Sequence, residues 1–369
     1  MGVCGHTRLG ISQARGPLSA MKFTIVIPTH NGGKYLYDTL MSACNQMRKA
    51  DEVVVSDDGS TDGTLDICNS DVFEGKITVY KNPDGPSGFV KAWMRAIQIS
   101  KGEYISILHQ DDLLHPLFLR SVESALRKYP NVKHVFAACD YIDENGNVFR
   151  TAKGPYSIEP VLLSGKEYRK NYLRASIADA HIHRCPGVVT HKEIFEYCNY
   201  RPEAGHIADD DFFFRVGNYT DVIGISEPMA SYRHHIQSET GKLSKAELTL
   251  RLAKDYTYQS QFHSRHDYFD ADDLELLKQV ATGSVNSLMY YGLILQNTAY
   301  LDVAQACKYN LVSSSDNEFY RYVKLHYRLM WLLATKYKLK KVSLCYASMI
   351  KHARNIKRIL KHSLTKVRG

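Results

Sequence analysis

The 369-residue chain has no apolar run approaching the ~20 residues that cross a bilayer. Residues 1–20 lack the apolar stretch of a secretory signal, and His6 stands where a myristoylation site needs Ser or Thr. None of the eight cysteines forms a Cys-x-x-Cys pair or a zinc-like spacing. They read as reduced thiols of a cytoplasmic protein. Internal repeats and low-complexity tracts are missing as well. Acidic residues are absent from 336–369, which carries eleven Lys or Arg, more than the whole net charge of +8. The rest of the chain is therefore slightly acidic. With 44% apolar and 23% charged residues, a sizeable packed core is expected.

Patterned sequence begins at Met21, so residues 1–20 read as a leader or a disordered arm. From there to about residue 143, apolar strand-like runs alternate with helical spacing. Strands are expected near 23–27, 52–55, 76–80, 103–108 and 135–138, and helices near 32–43, 61–68, 88–99 and 116–128. This alternation predicts an α/β fold with a mostly parallel, doubly wound sheet sandwiched by helices. Ligands of such sheets sit beyond the carboxyl ends of the strands. Three strands end in polar residues there: Pro28-Thr29-His30-Asn31, Asp57-Asp58-Gly59-Ser60 and Asp111-Asp112. From about residue 241 Tyr- and Leu-rich helical stretches dominate, giving a helical C-terminal region over 241–335 and a basic tail over 336–369.

Two adjacent carboxylates after a buried strand repel each other unless a cation intervenes. Asp111-Asp112 therefore reads as a site for Mg²⁺ or Mn²⁺ with phosphate oxygens, or equally as a helix N-cap. Asp57-Asp58-Gly59-Ser60-Thr61-Asp62 reads as a turn, or as a carboxylate that accepts a nucleobase N–H. Ala208-Asp209-Asp210-Asp211 holds more acids than one helix cap needs.

In order and spacing, Val26 to Asn31, Val54 to Asp62 and Gly102 to Asp112 together resemble the nucleotide-binding half of the inverting family 2 glycosyltransferases, which have the GT-A fold. The resemblance covers residues 21–240. It implies a GT-A catalytic domain there, with Pro28, Thr29, His30 and Asn31 around the base of a nucleotide-sugar donor and Asp58 on the base N–H. It implies Asp111 toward the ribose or diphosphate, and Asp112 with His235 on the divalent metal. The acid string resembles the family's acidic pair before a helix, which makes Asp209 the general base, or Asp210 if the register shifts by one. His181, His183, Arg184 and Cys185 are expected on the acceptor side. Two departures stand out. The first acid of the family's Asp-x-Asp signature is His109 here. Trp93 and Met94 replace an Arg-Asn pair, so Lys91 or Arg95 is expected to supply the phosphate-facing charge.

The implied activity is transfer of a sugar from a nucleotide-diphosphate sugar, UDP-linked by expectation, to a hydroxyl of a glycan or lipid-linked acceptor with inversion. The expected setting is bacterial surface polysaccharide synthesis. Ala353, Ile356, Leu360, Leu364 and Val367 form one stripe of a basic helix, which suits an anionic membrane surface on the inner face of the cytoplasmic membrane. No nucleic-acid recognition motif accompanies the charge. The rival readings are a non-catalytic nucleotide-sugar-binding protein and a nucleotidyltransferase. The latter would need a glycine-rich loop with a basic residue where Thr29-His30-Asn31 stands.

Overall fold

The computed structural model describes residues 21–152, 159–178, 180–181, 183–295 and 297–312. The expected leader, the helical stretch at 319–333 and the basic tail lie outside the described residues. In chain order the elements are β1 Phe23–Thr29, α1 Leu36–Cys44, β2 Glu52–Asp57, α2 Thr64–Cys68, β3 Thr78–Lys81, α3 Phe89–Ile99, β4 Tyr104–Ile107, β5 Leu113–Leu114, α4 Phe118–Lys128 and β6 His134–Ile142. They continue with β7 Val148–Thr151, β8 Val161–Leu163, α5 Gly165–Ala178, β9 Val188–His191, α6 Ile194–Tyr197, α7 Ala208–Val216, β10 Val222–Arg233, α8 Lys245–Ser264, α9 Ala271–Leu295 and α10 Thr298–Val312.

One sheet carries the order β3-β2-β1-β4-β9-β6-β10-β5, with β7 on β6 and β8 on β10. Its first half, β3-β2-β1-β4, is parallel throughout, as the strand-helix alternation requires. Beyond β4 the sheet is mixed. β9 enters antiparallel between β4 and β6, while β6 and β10 run parallel to each other.

Successive side chains of a strand point to opposite faces, and both faces here are buried. Ile25, Ile27, Val53 and Val55 pack with α1 and α4 through Leu36, Leu40, Phe118 and Val122. Val26, Val54, Ile105 and Phe136 face the other way, into a core shared with α3, α5 and α7. That second core continues through Leu277, Val280 and Leu288 of α9 to Leu301 of α10. The helices of the C-terminal region thus pack on the same core as the sheet. α8 begins at a capping box: the Ser244 hydroxyl accepts from Glu247 N–H, and the Glu247 carboxylate accepts from Ser244 N–H.

Element ends differ from the sequence expectation where side chains claim the backbone. α2 starts at Thr64 rather than 61, because the Asp57 carboxylate takes the Gly59 and Ser60 N–H groups and Asp62 takes that of Thr64. α5 opens at Gly165, where a Cβ would lie 2.6 Å from the Thr220 carbonyl oxygen and against that of Gly217. Both obstacles are backbone. Gly165→Ala should therefore cost about 3 kcal/mol, read as a lower urea midpoint at unchanged slope.

Candidate active site

The carboxyl ends of β1, β2 and β4 are tied together by side chains. His30 N–H donates to Gln110 Oε1 at 2.8 Å, and Gln110 Nε2 donates back to His30 O at 3.2 Å. Asn31, in the left-handed region at φ 51°, accepts Thr61 N–H on Oδ1 at 2.8 Å, and its own N–H donates to Ser60 Oγ at 2.9 Å. A Cβ on Gly32 would sit 2.7 Å from Gln110 Cδ, so a larger residue there would push the Gln110 side chain off His30. Pro28 and Thr29 are buried within the strand, whereas His30 and Asn31 are exposed at the lip of the crevice.

Asp58 is buried, and both of its oxygens are engaged by protein. Oδ2 accepts from Ser87 N–H at 2.7 Å and Gly88 N–H at 3.2 Å; Oδ1 accepts from Arg95 Nη1 at 2.7 Å, Asn82 Nδ2 at 2.8 Å and Ser87 Oγ at 2.9 Å. Burial works against the charge, but the Ser87 N–H, Arg95 and Asn82 hold this carboxyl below the ordinary range. Asp58 thereby fixes the 82–88 loop onto the end of β2. Lys91 is exposed on α3, and Arg95, one turn on, is spent on Asp58.

Beyond β4 the two adjacent acids part company. Asp111 Oδ2 lies 2.8 Å from His235 Nε2. The His235 side chain is buried, and its ring packs 4.5 Å from that of Tyr35. Asp112 points inward: Oδ1 accepts Arg233 N–H at 2.9 Å, and Oδ2 is buried with no hydrogen-bond partner. Burial first, then the Asp111 charge, push the Asp112 carboxyl well above the ordinary range. The expectation grouped Asp112 with His235, whereas the imidazole meets Asp111. His109, which stands where the family's signature has its first acid, stacks on Trp93 at 5.0 Å and 21°, and burial holds its pKa down.

The three consecutive acids of α7 are divided among three environments. Asp211 is fully buried. It accepts from Arg215 Nε at 2.9 Å and Nη2 at 2.7 Å, and meets Arg201 Nη1 at 3.4 Å and His263 Nε2 at 3.1 Å. Asp210 is also buried, with the Tyr172 hydroxyl donating to Oδ1 at 2.7 Å and the Tyr256 hydroxyl donating to Oδ2. Asp209 alone keeps part of its surface open; its Oδ1 accepts Asp210 N–H at 2.9 Å. Burial and then the neighbouring Asp210 charge push the Asp209 carboxyl up to about 7, against the pull of Arg184. A carboxylate poised there can take a proton at neutral pH.

Asp211→Ala would strand the buried Arg215 guanidinium. A loss of about 3–5 kcal/mol is expected on denaturant unfolding. Asp211 and Arg215 stand at i, i+4 spacing, whereas the Asp210 partners Tyr172 and Tyr256 lie 38 and 46 residues away with no local signal. Of the four residues expected on the acceptor side, Arg184 is partly exposed and donates from Nε to the Tyr141 hydroxyl at 3.1 Å. His183 is buried, with Nε2 3.2 Å from the Tyr168 hydroxyl, and His181 and Cys185 are buried too.

Residues 24–190 match the family model described as glycosyl transferase family 2. The glycosyltransferase GlyG of Streptococcus pneumoniae is 25% identical over 126 residues, which is 34% of this chain and 42% of that protein. The chondroitin synthase of Pasteurella multocida is 34% identical over 119 residues, or 32% of this chain and 12% of that one. The chain thus spans less than half the length of either relative. Among solved structures, S. aureus TarS 1–349 in complex with UDP-GlcNAc aligns at 15% identity and a TM-score of 0.49, covering 78% of this chain and 90% of that one. Among the described residues no helix is long and apolar enough to cross a membrane. The segment matched by the family model runs from β1 into β9 of the sheet described above.

Proposed function

We propose that this chain transfers a sugar from a nucleotide-diphosphate sugar, UDP-linked by expectation, to a hydroxyl of a glycan or lipid-linked acceptor, with inversion. The observation that carries the reading is the division of labour in α7. Asp211 and Asp210 are consumed by arginines, a histidine and tyrosines, and Asp209 is left open to the crevice with its carboxyl near 7. In a single displacement Asp209 takes the acceptor hydroxyl proton. The acceptor oxygen bonds to the anomeric carbon as the bond to the β-phosphate oxygen breaks, and that electron pair leaves with the nucleoside diphosphate.

The leaving group's end of the site falls to Asp111 and His235. Adjacent ligands of an octahedral Mg²⁺ or Mn²⁺ at ~2.1 Å stand roughly 3 Å apart. The 2.8 Å between Asp111 Oδ2 and His235 Nε2 fits such a pair. Among the described residues no three acidic, histidine or cysteine groups converge, so diphosphate oxygens and water would complete the shell. A cation held there would neutralise charge developing on the leaving diphosphate. Asp112, in this reading, anchors β10 beside the pair through Arg233 N–H. His30 and Asn31 form the exposed lip on the base side, with Pro28, Thr29 and Asp58 holding it from beneath.

A role in surface polysaccharide assembly draws its support from relatives such as the chondroitin synthase. Membrane attachment through the basic tail, and a cytoplasmic-face location, draw theirs from the sequence.

Water can replace the acceptor in a slow hydrolysis of donor. The test is proton NMR of the first sugar released from an α-linked UDP-sugar. The β-anomer should appear before mutarotation. Initial release of the α-anomer would contradict the single displacement.

A further inference from the structure

Two neighbouring acids of α7 are held in different ways. Asp211 is answered by cations. Asp210 is buried as well, but it makes no ion pair among the described residues. The groups that hold it are two hydroxyls, one per oxygen. Tyr172 of α5 donates to Oδ1 at 2.7 Å, and Tyr256 of α8 donates to Oδ2. Both tyrosines are buried too. Burial first, then the Asp210 charge, push both of their pKa values well above the ordinary range, so both hydroxyls keep the protons they donate.

A buried carboxylate costs free energy, and apolar side chains of similar shape would join the three helices at least as well. The packing beside it is already apolar: Phe213 and Phe214 stand 5.4 and 5.7 Å from the Tyr172 ring. Tyr256 belongs to a buried polar face of α8. Tyr256, Gln259, Ser260 and His263 fall at i, i+3, i+4 and i+7, on one side of the helix. From that face Tyr256 reaches Asp210 and His263 reaches Asp211, so α8 grips α7 at two successive acids.

Two links run from Asp210 to Asp209. One is geometric. The Asp210 N–H donates to Asp209 Oδ1 at 2.9 Å, so pinning residue 210 from two helices sets where that oxygen stands. Asp209 Oδ2 is left without a hydrogen bond among the described residues. The other link is charge. The titratable and charged groups around Asp209 are Asp210, Arg184, Tyr172, Tyr256, Tyr200 and Cys185. Asp210 is the acid among them, and Arg184 opposes it.

We infer that Tyr172 and Tyr256 are positioning residues of sugar transfer, which act through Asp210 to hold the Asp209 carboxylate in place as a base, so that α8 of the helical region takes part in the reaction. The inference rests on the proposed function, in which Asp209 is the general base. Loss of one hydroxyl leaves an Asp210 oxygen unpaired, which favours the neutral acid there. A neutral Asp210 no longer repels charge on Asp209. Asp209 then gives up its proton at lower pH and is a weaker base.

The test is carbon-13 NMR of the full chain labelled at the aspartate carboxyls, with the Asp209 signal assigned by its loss in Asp209→Asn. Its midpoint is expected at about 7 in the wild type. In Tyr256→Phe and in Tyr172→Phe it should fall by about one unit. The rising limb of UDP-glucose hydrolysis against pH should move with it. At pH 8 kcat should drop about tenfold, with KM for the donor unchanged within about twofold. Asp210→Asn keeps the shape without the charge and should lower the midpoint by itself. Added to Asp210→Asn, Tyr256→Phe should change kcat by less than about twofold further, because the hydroxyl acts through that carboxylate. A midpoint that stays at the wild-type pH in both tyrosine variants, whatever stability they lose, overturns the inference. So does a midpoint unmoved in Asp210→Asn, which decides the matter if the tyrosine variants fail to fold, or a Tyr256→Phe effect on kcat that is undiminished beside Asp210→Asn. The carboxyl titration needs no donor. Failure of the general-base reading shows separately, as an Asp209→Asn variant that hydrolyses donor at the wild-type rate at pH 8.

Discussion

Sugar transfer by this chain should climb about tenfold per pH unit from pH 5 and level off near pH 7, and Asp209→Asn should lower kcat by roughly 10²–10⁴-fold above pH 7, a deficit that shrinks toward pH 5 as the wild type loses its base. A general base works only when deprotonated, so the rising limb follows the Asp209 carboxyl, which burial and Asp210 push up to about 7. Nucleotide affinity should stay the same in the variant, because the role proposed for Asp209 is toward the acceptor. The same shift has a sign for stability. The folded pKa lies above the unfolded one, so the fold favours the neutral acid. Stability is then lost as pH rises from about 4 to about 7, and no further above that. Asp209→Asn should match the wild type in melting temperature at pH 4 and exceed it at pH 8, by upwards of about 1 kcal/mol. A variant that is less stable at pH 8 would show that the carboxylate is held by attraction rather than against repulsion.

Removing either member of the Asp111–His235 pair should weaken Mn²⁺ binding in the presence of UDP by more than about 100-fold, since even outer partners of metal ligands are worth 10–100-fold. Electron paramagnetic resonance of free Mn²⁺ reads this directly in Asp111→Asn and His235→Ala. Asp112→Asn makes the contrast. Its side-chain carbonyl can still accept Arg233 N–H, and the neutral amide relieves a carboxyl that burial already disfavours as an anion. Its effect on Mn²⁺ should stay within about fivefold of the wild type, far below the loss of a ligand. Should Asp112→Asn instead abolish Mn²⁺ binding while Asp111→Asn leaves it intact, the two acids exchange roles.

Much of the parallel half of the sheet was legible because each of its strands is a short apolar run closed by polar residues. Phe23–Thr29 and Glu52–Asp57 are buried on both faces and end beside each other, so the polar ends meet in space. The mixed half of the sheet was not legible. Val188–His191 is four residues long, and nothing local says that it enters antiparallel between β4 and β6. The acids show the same limit at finer scale. Asp111 and Asp112 are neighbours whose side chains diverge, one to a histidine 124 residues away and one to a backbone N–H 121 residues away. Asp209, Asp210 and Asp211 step about 100° each around one helix, so they meet different partners. Only the tyrosines of α5 and α8 and the cations around Asp211 decide which acid stays open. Lys91 and Arg95 share a face of α3 one turn apart, and an ion pair with Asp58 separates them.

The central claim is that the ends of β1, β2 and β4, with β10, build a nucleotide-sugar site assisted by a cation. Calorimetric titration of the chain with UDP, GDP and dTDP, each with and without Mn²⁺, tests it most directly. The account predicts that one nucleotide, expected to be UDP, binds with Mn²⁺ present and much more weakly without it. Well-folded protein that binds none of the three, in either condition, would contradict it.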